Sequence, residues 1–248
     1  MTPPETEQPR RGYGPGGVSE AELGRRVDAL RAALAAPQTP RETDAADAAD
    51  IAVADPGSRL RRDVVRSAAV NYAAHGWGVL PGTVWHRGRY TLGHAPTVAP
   101  GLEPVMLSAR TLRDAREVWS WFSIAPYAVL ARVGEDFDVL TAPATLVCTA
   151  LDVPGSAVRR CPIILTGTGS ANLVITRNSR LRYDLRPVPG VALVPPRAFV
   201  ALPPTLVDGD TAEWLIAPSE VSYRPGLAGA VQAALAAAAT SPENGGGK

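Results

Sequence analysis

The stretch EVWSWFSIAPYAVLARVGEDFDVL (117–140) changes from helical to strand patterning within 24 residues. Thr111 and Asp114 stand just ahead of it as start signals, and Val118, Trp119 and Phe122 recur at the spacing of one helical face. This predicts a helix over about 112–122. YAVLARV (127–133) then reads as an apolar strand, Glu135 and Asp136 as a turn, and FDVL (137–140) as a second strand.

Working outward, the upstream segment RLRRDVVRSAAVNYAAHG predicts a helix with Leu60, Val64, Ala68 and Tyr72 on one face and Gly76 as its stop. WGVLP (77–81) predicts a short strand, and the Gly- and Pro-containing run 82–105 an irregular loop. Downstream, an alanine-rich helix near 143–151 precedes strand-like runs at PIIL (162–165), NLVIT (172–176), LRYDL (181–185), VALV (191–194) and AFVAL (198–202). LAGAVQAALAAAA (227–239) predicts a closing helix. This succession predicts an α+β (mixed α/β) domain, a mixed sheet flanked by helices.

The body is expected over 58–239. Ahead of it, residues 1–57 read as a flexible extension, because 1–17 is rich in Pro, Gly and charge and the run to Pro56 repeats Asp and Ala. One helix interrupts the extension at about 19–36. Ser19 and Glu22 form a capping-box pair, and Leu23, Val27, Leu30 and Leu34 make a narrow stripe. That helix is expected to dock on the body or to take a protein partner. Residues 240–248 read as a disordered tail.

Composition limits function. Basic and acidic residues nearly cancel, 25 against 24, so contact with a polyanion needs a local basic surface. Lys248 is the only lysine. The arginines therefore look like codon bias in a GC-rich genome and carry little individual weight. Cys148 and Cys161 lack CxxC spacing, which excludes a zinc ribbon and a disulfide framework. No run approaches the roughly 20 apolar residues of a membrane span, and the first residues lack a signal-peptide core, so a cytoplasmic protein is expected. His75, His86 and His94 have no ligand partners at metal spacing and read as surface histidines. Trp77, Trp119, Trp121 and Trp214 read as core or half-buried anchors. The single GTG at 167–169 lacks a dinucleotide-fold context, and neither a P-loop nor a GxSxG motif occurs.

Taken in order, several short motifs carry a resemblance. NYAAHGWGVLPG (71–82), EVWSWFSIAPYAVLARVGEDFDVL (117–140), PIILTGTGSANLVIT (162–176), RYDLRPVPG (182–190) and VALPPT (200–205) resemble successive elements of the Prim-Pol domain of bacterial bifunctional DNA primase/polymerases. That family belongs to the archaeo-eukaryotic primase superfamily. The resemblance covers about residues 60–220. It implies a nucleotidyl-transfer fold in which carboxylates on neighbouring strands clamp Mg²⁺ or Mn²⁺.

Only part of the family's site is kept. Asp138 matches the first aspartate of its Asp-x-Asp pair, but Leu140 occupies the second place. Asn172 stands where the family has histidine, Asp184 matches the third aspartate, and Arg186 keeps the arginine that follows. Thr166, Gly167, Thr168, Gly169 and Ser170 match the hairpin that contacts the nucleotide, or form a plain turn. Asp136-Phe137-Asp138 offers a displaced Asp-x-Asp, so Asp136, Asp138 and Asp184 are the candidate metal ligands, and Asp138 and Asp184 the candidate catalytic pair. Helicase and accessory segments are missing from the sequence, so a stand-alone Prim-Pol-like chain is expected.

The leading expectation is a degenerate primase/polymerase-like domain that binds nucleotide or DNA, or regulates, without polymerising efficiently. The alternatives are an active metal-dependent primase/polymerase and an interaction module working through the 19–36 helix.

Overall fold

The computed structural model describes residues 19–35, 56–93, 95, 97–106, 110–167 and 169–240. The segments expected to be flexible at 1–17 and 37–55, and the tail beyond Thr240, lie outside the described residues, as do His94 and Thr168. The described helices are α1 (Glu20–Ala35), α2 (Pro56–Ala74), α3 (Ala115–Ile124), α4 (Ala144–Asp152) and α5 (Ala228–Ala239). The fold is α+β, as expected.

Its largest sheet is antiparallel and has five strands. They are numbered by chain position and lie in the order β13 (Glu213–Ile216), β7 (Ile163–Leu165), β8 (Ser170–Ile175), β6 (Asp138–Pro143) and β9 (Ala192–Leu193). A second antiparallel sheet sets β5 (Ala128–Arg132) between β1 (Leu80–Gly82) and β10 (Phe199–Leu202). Two small additions complete the strands: β2 (Val84–His86), β3 (Arg89–Thr91) and β4 (Val98–Ala99) form one, and the hairpin β11 (Leu206–Val207) with β12 (Asp210–Thr211) the other.

The five-stranded sheet divides two cores, and strand alternation decides which residue enters which. Leu140, Ile163 and Leu173 face a core closed by α1, α4 and α5, through Leu23, Val27, Leu146, Leu151, Val231 and Leu235. Their neighbours Val139, Ile164 and Val174 face the other core, with Val65 and Tyr72 of α2, Val118 and Phe122 of α3, and Val129 of β5. Each fully buried side chain of this kind stabilises the fold by about 1.5–3 kcal/mol. Trp77, Trp214 and Tyr72 meet in the second core, where the buried Tyr72 hydroxyl donates to Pro203 O at 2.6 Å and accepts from Trp214 Nε1 at 2.8 Å.

Several elements differ from the sequence reading. On α2 the buried stripe is Val65, Ala69, Tyr72 and Ala73, while Leu60 and Val64 are exposed. The helix is apolar over a wide arc, and packing against α3 selects the arc one position on. The expected loop 82–105 contains β2, β3 and β4. Its tight turn puts both Arg87 and Gly88 at positive φ, a hairpin geometry usually announced by Asn-Gly or Asp-Gly. LRYDL (181–185) is not a strand. Tyr183–Leu185 forms a 3-10 turn, because the Arg182 N–H is satisfied by a side chain, Gln232 Oε1 at 2.8 Å, rather than by a neighbouring strand. No helix among the described residues is long and apolar enough to cross a membrane.

Candidate nucleic-acid interface

Where β8 ends, the chain enters a loop, TRNSRLRYDLR (176–186), that is fastened from beneath at four points. Thr176 N–H donates to Gly226 O at 2.9 Å, and Thr176 Oγ1 accepts the N–H of Ala228 at the start of α5 at 3.2 Å. Asp138, the first residue of β6, accepts the Ser179 N–H on Oδ2 at 2.7 Å. Gln232, 2% exposed in an otherwise alanine-rich helix, accepts the Arg182 N–H and donates Nε2 to Arg180 O at 3.1 Å. Leu185, fully buried in the helical core, closes the loop. A buried amide costs free energy unless it is bonded, and Gln232 is bonded on both its oxygen and its nitrogen to this one loop.

The side chains presented outward are Arg177, Arg180, Arg182, Tyr183, Asp184 and Arg186. Four arginines against one aspartate leave a local charge of +3 on a chain whose net charge is +1. Tyr183 is 84% exposed, the most exposed large hydrophobic side chain among the described residues, and the Arg186 guanidinium lies 5.8 Å from its ring centre. Asp184 is tied to Arg182 by a two-point pair, Nε to Oδ1 at 3.0 Å and the second nitrogen to Oδ2 at 2.7 Å. That guanidinium holds the Asp184 carboxyl below its ordinary range. The Arg177 and Arg180 guanidinium groups have no ion-pair partner among the described residues. A positive, preorganised surface with an aromatic ring standing free is the arrangement that tracks a phosphate backbone and stacks a base.

The other sequence candidates lie elsewhere. Asp136 sits in the turn between β5 and β6, where Oδ2 accepts Gly78 N–H at 2.7 Å and Oδ1 pairs with Arg113 at 2.7 Å. Arg113 also donates to Gly76 O at 2.9 Å, so the pair clips the end of α2 to that turn. Asn172 faces Thr141 across β8 and β6 and accepts its hydroxyl at 2.8 Å.

The Thr166–Ser170 turn lies at the far end of these strands from Asp138, since Pro143 pairs with Ser170 and Asp138 with Ile175. Five residues of strand separate the two ends, roughly 17 Å. Gly167 lies against Asp210, and a Cβ there would clash with its carboxylate. Gly169, at φ 73°, faces Leu34 of α1. The adjoining groove, about 650 Å³, carries the acids Asp210 and Glu213, which oppose a phosphate.

The structure thus brings Asp138, Asp184 and Arg186 to one loop, and separates them from Asp136 and from the Thr166–Ser170 turn with Asn172. No three His, Cys, Asp or Glu side chains gather as a metal site among the described residues; Asp136 and Asp138 each accept a backbone N–H on a carboxylate oxygen, and Asp184 pairs with Arg182. Sequence reading passed over Arg177, Arg180, Arg182 and Tyr183, although four arginines and a tyrosine within ten residues were in plain view. Ser179 and Gln232 gave no sequence signal.

Fold and surface together define an α+β domain with two main cores on either side of one sheet, a smaller cluster around Leu80 and Leu130, and a buttressed arginine–tyrosine loop. No family model, curated protein or solved structure matches the chain.

Proposed function

We propose that this chain binds single-stranded nucleic acid through the 176–186 loop and does not carry out nucleotidyl transfer. The reading keeps the partner class that the Prim-Pol resemblance implies and sets aside its chemistry. One observation carries it: Asp138 and Gln232 hold rigid a loop that exposes Arg177, Arg180, Arg186 and Tyr183. Ordering the loop in advance removes the entropy that a flexible basic tail loses on binding. Guanidinium groups take phosphate oxygens, and the Tyr183 face takes a base in any sequence.

The 19–36 helix supports a partner role less well. Leu23 and Val27, the centre of its apolar stripe, are buried against the body, and Arg26 and Arg31 reach across to Glu220 and Asp152. The test is a binding titration with a labelled single-stranded oligonucleotide, repeated on the Arg177→Ala/Arg180→Ala variant. Loss of binding in the variant supports the proposal, and equal binding overturns it.

A further inference from the structure

A cleft of about 500 Å³ opens between the start of α1, the 3-10 helix Ala157–Arg160 and the segment that follows β13. Its size falls within the range of small-molecule sites. Leu23, Ile216 and Val221 contribute its apolar lining. The charges around it are unevenly matched. Glu20 pairs with Arg159 at 3.1 Å, and Arg159 Nε also donates to Leu151 O at 2.8 Å. Glu220 pairs with Arg26 at 2.9 Å. Each acid of the lining thus has an arginine partner, although Arg26 is shared with Glu22 and Glu220 Oε2 is buried without a hydrogen bond among the described residues.

Arg160 and Arg224 are left over. Both line the cleft, both are exposed, and neither guanidinium has a hydrogen bond or ion pair among the described residues. Two unmatched guanidinium groups beside an apolar lining call for a ligand with a doubly charged head and an apolar body. A guanidinium is planar and donates in pairs, which suits phosphate oxygens.

We propose that this cleft is a binding site for a small phosphate monoester, separate from the 176–186 loop, with Arg160 and Arg224 holding the phosphate. Because α1 supplies Glu20 and Leu23 to the wall, an occupied cleft also fastens that helix to the body.

The probe is phenyl phosphate, titrated calorimetrically into the intact chain, with inorganic phosphate in a parallel arm. Saturable binding of phenyl phosphate is expected, several-fold tighter than inorganic phosphate. Arg160→Ala/Arg224→Ala is expected to lose at least about tenfold in affinity. Both arginines are exposed and unpaired, so the variant is expected to keep the wild-type circular dichroism and melting temperature. Arg177→Ala/Arg180→Ala is expected to bind phenyl phosphate as the wild type does. Three results each overturn the inference: no saturation below about 10 mM, unchanged affinity in Arg160→Ala/Arg224→Ala, or an equal loss in Arg177→Ala/Arg180→Ala. Equal affinity for the two probes overturns the monoester assignment.

Discussion

The Asp138 carboxylate accepts the backbone N–H of Ser179 at 2.7 Å, joining the first residue of β6 to the crest of the arginine loop. A residue that the Prim-Pol resemblance assigns to metal chemistry thus has a structural task. Asp138→Asn keeps an oxygen acceptor there and is expected to leave stability and oligonucleotide affinity near wild type. Asp138→Ala removes the acceptor and is expected to cost about 1–3 kcal/mol of folding stability, a charged-group hydrogen bond's share. Urea denaturation of both variants checks this. A collapse of binding in Asp138→Asn with stability intact contradicts it.

Asp184 gives an opposite-signed test of the two readings. A metal-site aspartate is needed for function, whereas here Asp184 is the one acid on a basic surface and occupies Arg182. Asp184→Ala is expected to tighten oligonucleotide binding about twofold to fivefold by freeing a guanidinium. Fluorescence anisotropy measures it, and a weakened complex counts against the proposed function.

The same pair sets a pH dependence. Arg182 lowers the Asp184 pKa, so the pair is fully formed above the ordinary carboxylate range and is lost only as pH falls through the lowered value. The contribution of this pair to oligonucleotide affinity is therefore expected to be flat between about pH 5 and 8. It is expected to change only below about pH 4, where protonation releases Arg182 and strengthens binding. Comparing wild type with Asp184→Ala across this range isolates the effect, and the two curves should converge in acid.

Gln232 is the buried half of the clamp. Gln232→Leu keeps the helix and its burial but leaves the Arg182 N–H and Arg180 O without their partner. A stability loss of about 1–3 kcal/mol is expected, with faster amide exchange at Arg182 and weaker oligonucleotide binding. Hydrogen exchange confined to wild-type rates at Arg182 rules out the clamp.

α1 is expected to behave as part of the folded body. Leu23→Ala removes a side chain that is 8% exposed in the helical core and is expected to cost about 2–4 kcal/mol. Chemical denaturation that leaves the midpoint unmoved shows that α1 does not dock.

How much was legible in the sequence follows from the length scale of each signal. The strands at YAVLARV and FDVL and the helix around Val231 form close to where local apolar patterning places them, whereas α3 starts three residues later than expected and leaves Trp119 exposed. The hairpin β11–β12 was not anticipated, although its Asp208-Gly209 turn, both residues at positive φ, is a usual hairpin signal. LRYDL misled because Leu181, Tyr183 and Leu185 alternate with polar residues as in a strand, while the deciding partner, Gln232, lies 50 residues away. The candidate site suffered from the same limit. Aspartate spacing suggests ligands, but whether a carboxylate meets a metal or a backbone N–H depends on which loop folds over it. The arginines were visible, yet only their exposure and the hydrogen bonds that fasten their loop distinguish them from a solvated charge run.

The most direct measurement is an anisotropy titration of the intact chain against a single-stranded oligonucleotide of about 20 nucleotides, across a series of salt concentrations. Three unpaired charges predict saturable binding whose affinity falls with salt at a log–log slope of about −2, and a loss of at least tenfold in Arg177→Ala/Arg180→Ala. Binding with no salt dependence, or binding untouched by that double substitution, contradicts the assignment of the 176–186 loop as the nucleic-acid interface.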